Sequence, residues 1–577
     1  MPPISFDWGI YRGEIESLRA RGTSAKDIWQ SLFNRYDDIP SSHRTLERQI
    51  KAWQEEDPSF APRYSIYEDL RLIEFCNNEW LHNANHEEML EAVNSERVSL
   101  QLPFEITSRQ LEKLRVQNGL RYARRHEATE EEVDEKREAI IRGMKENGAS
   151  RYGRGLHLST LRKHGVLCSQ YHLRKLLQEI DPDGLKARDF RRARRKGRMD
   201  IAGPGRMGSL DGYDKLKPWG IEIYAFIDGY SRYVLQVYCG NDNKTAISVL
   251  VQYLRMVRRL KKMPRCLRAD KGVETPLLAW AHVLLRRATY RQEEGIDIPE
   301  LPFERAFSWG TSTRNIRIER WWKSLATFCL NEVRGHFQKL SRDQHFDKVR
   351  PDRIAIKYVY MRPIRRRIDE FVHTHNISPI RKQKHRGHYL PTGKPRKLFL
   401  YPKGGQHYHE KLHMPTLDWL DSLVKDHDID SYLPDEMMDL CQSLLDKKGW
   451  TIDVMEALVI NQESNHEEMY LYLREQLQRI WISPEGTTIL QELVTPLGAR
   501  HVVEREISRQ EDSEIYTRMT GAMFANLNLD DDPIQPIKED REEEVEDDEE
   551  DILYDPGEGY LDFETIEETD DEVEYGR

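Results

Sequence analysis

From about residue 10 to residue 180, apolar side chains return every three or four positions between polar ones. Between 209 and 240 they alternate or run together as strands do. The helical part falls into three units of similar design. In the first, IYRGEIESLRARG, SAKDIWQSLFNRY and SSHRTLERQIKAW predict three short helices, with Ser24 and Asp27 at capping-box spacing. The second ends in EITSRQLEKLRVQNGLRYARR. There Thr107 and Gln110 repeat that spacing, Leu111 and Leu114 supply the buried stripe, and Arg109, Lys113 and Arg115 fall on other faces. The third runs through GRGLHLSTLRKHG into VLCSQYHLRKLLQEI, whose helix opens at Ser169. Three short helices with a polar, basic last one resemble helix-turn-helix modules, which lay that helix in a DNA major groove. Arg109 and Lys113 are therefore expected DNA contacts.

Beyond residue 207 the period changes. SLDGYD, GIEIYAFIDGYS and RYVLQVYCG predict an antiparallel three-strand meander. NKTAISVLVQYLRMVRRLKK is a helix with an apolar stripe through Ile247, Leu250, Val251, Leu254 and Val257. PRCLRADKG is a short fourth strand ending at Asp270, TPLLAWAHVLLRRATY a second helix, FERAFSW a fifth strand, and NIRIERWWKSLATFCLNEV a further helix. A meander followed by alternating strands and helices predicts an α/β domain on a mixed five-stranded sheet. Helical periodicity returns from about 415 to 510, where packing or oligomerisation is the expected role. The expected organisation is three helical units (1–60, 61–127, 128–184), a basic linker (185–206), the α/β core (207–345), a basic flank (346–410), a helical domain (411–525) and an acidic tail (526–577).

Charge divides the chain in the same way. The net charge of the 577 residues is −11, but the segment from Asp530 onward holds 24 Asp and Glu against 3 Lys and Arg, so the remainder carries +10. Such a tail buries too little apolar surface to offset its ordering entropy and is expected to be disordered, touching basic proteins or its own basic body. Arg191, Arg192, Arg194, Arg195 and Lys196 make a dense cluster in the linker, suited to DNA phosphates and to nuclear import. The basic segment 362–402, with Tyr389 and Phe399 interspersed, is suited to tracking a DNA backbone. No run of about 18 apolar residues is present, so no membrane partner is expected. Six scattered cysteines without a C-x-x-C argue against disulfides and point to a reducing compartment. His407, His409 and His413 lack the Cys or carboxylate partners of a zinc site.

Three carboxylates share a logic. Asp211 lies on the first strand, Asp270 ends the fourth, and Glu319 opens the helix after the fifth. If the first and fourth strands are neighbours, the three acids converge. Carboxylates so gathered repel one another and are stable with divalent cations between them. Two Mg²⁺ or Mn²⁺ ions about 4 Å apart would suit an in-line phosphoryl displacement. Arg317, Arg320 and Lys323, around Glu319, would then meet a nucleic-acid backbone. Asp214 falls on the opposite strand face, Asp228 reads as a turn-capping residue, Glu274 is a candidate to orient Asp270, and Trp321 and Trp322 read as packing.

SLDGYDKLKPWGIEIYAFIDGYSRYV, LRADKGVE and STRNIRIERWW, in this order, resemble the integrase core domain of retroviral integrases and related DDE transposases, closest to integrase-core proteins of eukaryotic mobile elements, fungal ones included. The resemblance implies a ribonuclease H-like fold, with catalytic and metal-binding acids at Asp211, Asp270 and Glu319. It also implies a polar residue at Asn315, expected among the DNA contacts, and a DNA-contacting lysine at Lys323. Two features depart from the retroviral pattern: 48 residues separate Asp270 from Glu319, a longer spacing, and an N-terminal His/Cys zinc domain is not visible. The function implied is DNA strand cleavage and strand transfer by a nuclear protein acting as a homo-oligomer on element ends and target duplex. The alternative is a domesticated, inactive DNA-binding descendant; a nuclease on RNA–DNA hybrids fits less well.

Overall fold

The computed structural model describes residues 6–20, 23–57, 65–122, 129–146, 152–182, 201–241, 245–270, 274–294, 303–310, 315–380, 391–402, 406–450 and 465–492. The linker cations Arg191, Arg192, Arg194, Arg195 and Lys196, residue Tyr389, and the acidic tail lie outside them. Two compact units are present, residues 1–126 with 162–167, and residues 127–161 with 168–577.

The first unit holds two small helical cores. Helices α1 (Arg12–Ala20), α2 (Ala25–Arg35) and α3 (His43–Glu56) close over Ile15, Ile28, Leu32, Leu46, Ile50 and Trp53. Helices α4 (Leu70–Leu81), α5 (His86–Ser95) and α6 (Ser108–Gln117) close over Leu72, Cys76, Met89, Val93, Leu111 and Leu114. The expected caps form: the Ser24 side chain accepts from Asp27 N, and Thr107 and Gln110 make a reciprocal capping box. The segments before the final helices, 36–42 and 96–107, exceed the three- or four-residue turn usual in helix-turn-helix motifs. Arg115, expected on a solvated face, is buried instead: its guanidinium donates to Leu120 O at 3.0 Å and covers the Tyr122 ring.

The second unit begins with α7 (Glu130–Glu146), α8 (Arg154–Lys163) and α9 (Gln170–Ile180), the last capped by Ser169. Its sheet comprises β1 (Gly208–Tyr213), β2 (Glu222–Asp228), β3 (Val234–Gly240), β4 (Leu267–Asp270) and β5 (Phe307–Gly310), in the order 3-2-1-4-5. The first three pair antiparallel, while β4 runs parallel to both β1 and β5. The meander and the mixed sheet are as expected from the sequence. FERAFSW is not strand throughout, because Phe303–Ala306 forms a helical turn before β5.

Both faces of the sheet are covered, so alternation along β2 becomes a division between two cores. Ile223, Ala225 and Ile227 face one, Tyr224 and Phe226 the other. Helices α10 (Ala246–Leu260) and α11 (Pro276–Glu294) pack on the second face. Helix α12 (Ile316–Leu325) packs on the first; a single π turn over Ala326–Leu330 leads from it into α13 (Asn331–Arg342).

The region after 345 belongs to these cores. Helix α14 (Arg350–Ile377) is enclosed along most of its length despite its many charged residues, with Ile354, Ile356, Val359, Tyr360, Ile364, Ile368 and Phe371 buried, and Arg367 is buried against Glu332. Phe399, in the short helix α15 (Pro395–Leu400), is also buried, so much of the described part of the segment suggested as a surface for DNA contributes to the interior, while residues 381–390 lie outside the described ones. Helix α16 (Met414–Val424) joins the core of α10 and α11, while α17 (Asp435–Asp446) and α18 (His466–Ile482) join that of α14. Tyr152 and Leu156 enter the same core as α14, Tyr152 lying edge-on to Phe328.

Candidate functional site

Backbone register brings the first two acids together. Leu210 of β1 pairs with Ala269 of the parallel neighbour β4, so Asp211 and Asp270 are the next residues on adjacent strands. Parallel strands lie about 4.8 Å apart and present in-register side chains on the same face. Since Leu210 and Ala269 point into the α10–α11 core, both acids point the other way, toward α12. Glu319 lies one turn into that helix, after its N-cap Asn315.

Two side chains of α12 hold the aspartates. Asn315 is 1% exposed, and its Nδ2 donates to Leu210 O at 3.1 Å and reaches Asp270 Oδ1 at 3.5 Å. Trp322 donates its indole N–H to Asp211 Oδ2 at 2.9 Å. Neither role follows from sequence pattern. Asn315 was expected among the DNA contacts, but burial removes it from any phosphate and makes it a strut between β1, β4 and α12. Trp322 reads as packing from sequence, and only its place one turn after Glu319 hints at more.

Electrostatics ties the three acids into one site. Burial pushes Asp211 up to about 7, opposed by the Trp322 bond and reinforced by the charges of Glu319 and Asp270. Burial also raises Asp270, against Asn315 and Arg268, and raises Glu319, with Asp270 adding and Lys323 and Lys215 opposing. Arg268 is a buried cation two residues before Asp270, and Lys215 an exposed one four residues after Asp211; neither has a sequence signature.

The remaining expectations divide. Lys323 is exposed and Arg320 half-buried, so both have access to a backbone phosphate. Arg317 is 6% exposed, and burial takes it off the DNA-facing surface proposed for it. Arg109 and Lys113 are exposed on α6, Lys113 over the Tyr67 ring. Asp214 lies past the end of β1, in an exposed turn. Asp228 pins its hairpin, accepting from Gly205 N, Ser231 N and Ser231 Oγ at 2.8, 2.8 and 2.6 Å. Burial raises the Tyr224 phenol, with Glu274, Asp211 and Asp270 adding to it, and Asn315 is the residue that reaches Asp270. His413 caps α16 through Thr416.

Whether the acids suit a cation is a question of chemistry and of arrangement. Three carboxylates, each raised chiefly by burial, form an all-oxygen donor set of the kind Mg²⁺ and Mn²⁺ take. The buried Asn315 Oδ1 beside them has no hydrogen-bond partner among the described residues. Yet no group of three His, Cys, Asp or Glu side chains among the described residues is arranged to grip an ion as it stands. Residues and charge thus fit a divalent cation, while the side chains are not gathered around a common centre.

A mixed five-stranded sheet ordered 3-2-1-4-5 with helices on both faces is consistent with a ribonuclease H-like core. Residues 199–393 match the family described as integrase core domain, whose members are in general polynucleotidyl transferases. The match runs through α14, in keeping with the burial of that helix. Comparison with curated proteins finds no match.

Proposed function

We propose that this protein is a DNA integrase-transposase that cuts a strand at the end of a mobile element and joins the freed 3′ hydroxyl to target DNA. The observation that carries the reading is the placement of Asp211 and Asp270 directly after the paired Leu210 and Ala269 on adjacent parallel strands, with Glu319 on the helix that packs on that face, in a stretch matched to the integrase core family. Asp211, Asp270 and Glu319 are the catalytic acids and would hold Mg²⁺ or Mn²⁺, two ions being the expected number. Bound there, the cations would activate the attacking oxygen and neutralise charge on the phosphate and leaving oxygen.

The chain's own residues do the rest. Asn315 steadies Asp270 and ties β1 to the N-terminus of α12. Arg320 and Lys323, at the accessible side of the helix, take the phosphates flanking the scissile bond. Arg109 and Lys113 of α6, with the linker cations Arg191, Arg192, Arg194, Arg195 and Lys196, supply further backbone contacts. The protein works as a homo-oligomer, in the nucleus.

The test is strand transfer on duplexes carrying the element's own termini, with Mg²⁺ or Mn²⁺, comparing wild type with Asp270→Asn. Activity is expected to fall about a thousandfold or more while duplex binding at low salt persists, since no basic surface changes. Equal activity in the two proteins would overturn the assignment.

A further inference from the structure

Two adjacent tryptophans on α12 are used differently. Trp321 is 0% exposed and packs inward, its indole N–H without a hydrogen-bond partner among the described residues. Trp322 is 5% exposed and spends its N–H on Asp211 Oδ2. Packing alone would be served at 322 by phenylalanine, which has no donor to satisfy. The indole is also wedged: its ring lies 5.4 Å from that of Tyr213 and 4.8 Å from that of Trp321.

Helical spacing gives this bond its significance. Asn315, Glu319 and Trp322 fall at i, i+4 and i+7, one face of α12. Along that face Asn315 reaches Asp270, Glu319 presents its own carboxylate, and Trp322 reaches Asp211. We propose that Trp322 is a positioning residue: its indole N–H commits Oδ2 of Asp211 to the helix and leaves Oδ1 to face the site shared with Asp270 and Glu319. One rigid helix then supplies the third acid and sets the orientation of the first. An indole suits this task because it only donates and keeps its proton at every physiological pH. The inference rests on the reading of Asp211 as a metal ligand.

The test measures Mn²⁺ binding to the metal-free full-length protein by calorimetry, beside strand transfer, for wild type, Asp211→Asn, Trp322→Phe and Trp322→His. Partners that orient ligands are worth about 10–100-fold in metal affinity or activity. Trp322→Phe is therefore expected to weaken Mn²⁺ binding and lower kcat by about that factor with KM for DNA unchanged, and Trp322→His, which can still donate a ring N–H, to recover part of both. Binding and turnover of Trp322→Phe equal to wild type would overturn the inference and leave the proposed function standing. So would equal losses in Phe and His variants that track a lowered thermal midpoint, since packing would then be the whole effect. Asp211-dependent Mn²⁺ binding weakened in Trp322→Phe, in a wild type that fails to join DNA, would support the positioning role and overturn the enzymatic reading. A wild type without Asp211-dependent binding would overturn both.

Discussion

Two aspartates of one sheet have opposite effects on stability. Asp211 is pushed up to about 7, chiefly by burial. In metal-free protein between about pH 4 and pH 7 the folded state keeps a proton that the unfolded chain has released, so stability is full at the acid end and declines as pH rises. Asp211→Asn avoids that charge and is expected to exceed wild type by roughly 2–4 kcal/mol above pH 7 and to match it near pH 4, in thermal unfolding with chelator present. Asp228, by contrast, has its oxygens occupied by Gly205 N and by Ser231 N and Oγ. Asp228→Ala leaves those buried donors without an acceptor and should cost about 3 kcal/mol in urea unfolding. Sequence distinguished the two only in part: the turn around Asp228 was legible from IDGYSR, but the burial that raises both carboxyls, and the hydrogen bonds that offset it at Asp228, were not.

Among the elements, local signals were the readable ones. The caps at Ser24, Thr107 and Ser169 depend on residues within one helical turn, and all three form as their spacing predicts. Pairing of β1 with β4 depends on residues more than fifty positions apart; the sequence offers it only as the condition under which the acids converge, and Leu210 does pair with Ala269. Helix α14 was misjudged for a physical reason. Its many arginines read as a basic surface, but Arg365 and Arg367 turn their guanidinium groups to Cys239 O and Glu332 while the apolar residues between them are buried. Helix α18 lies against α14 through Met469, Tyr470, Leu473 and Leu477. Leu473→Ala should open a cavity there and cost about 3 kcal/mol, checked by denaturant midpoint with unchanged slope.

For the molecule as a whole, C-terminal helices complete the unit that carries the sheet and the three acids. Because α16 fills the core on one sheet face and α17 and α18 fill the other, a fragment ending at residue 410 would expose both. Such a fragment is expected to aggregate on expression, whereas one extending to 492 stays monodisperse in gel filtration. Charge is the other property at this scale. With −21 in the segment from Asp530 onward and +10 in the rest, removing that segment is expected to tighten duplex binding and steepen its salt dependence, read from binding titrations at several salt concentrations.

By itself the sequence determined the helical units, the meander, the α/β class, the opposed charges of body and tail, and the three acids as candidates. These follow from periodicity, capping and composition, all properties of near neighbours along the chain. Only the tertiary structure decided that Arg317 and Asn315 are interior residues, that Asn315 and Trp322 hold Asp270 and Asp211, and that α14 and the helices after it belong to the core. Burial is the reason: which polar atom loses water, and what replaces it, depends on segments 45 to 111 residues away in the case of Asn315 and Trp322, and no local pattern carries that information.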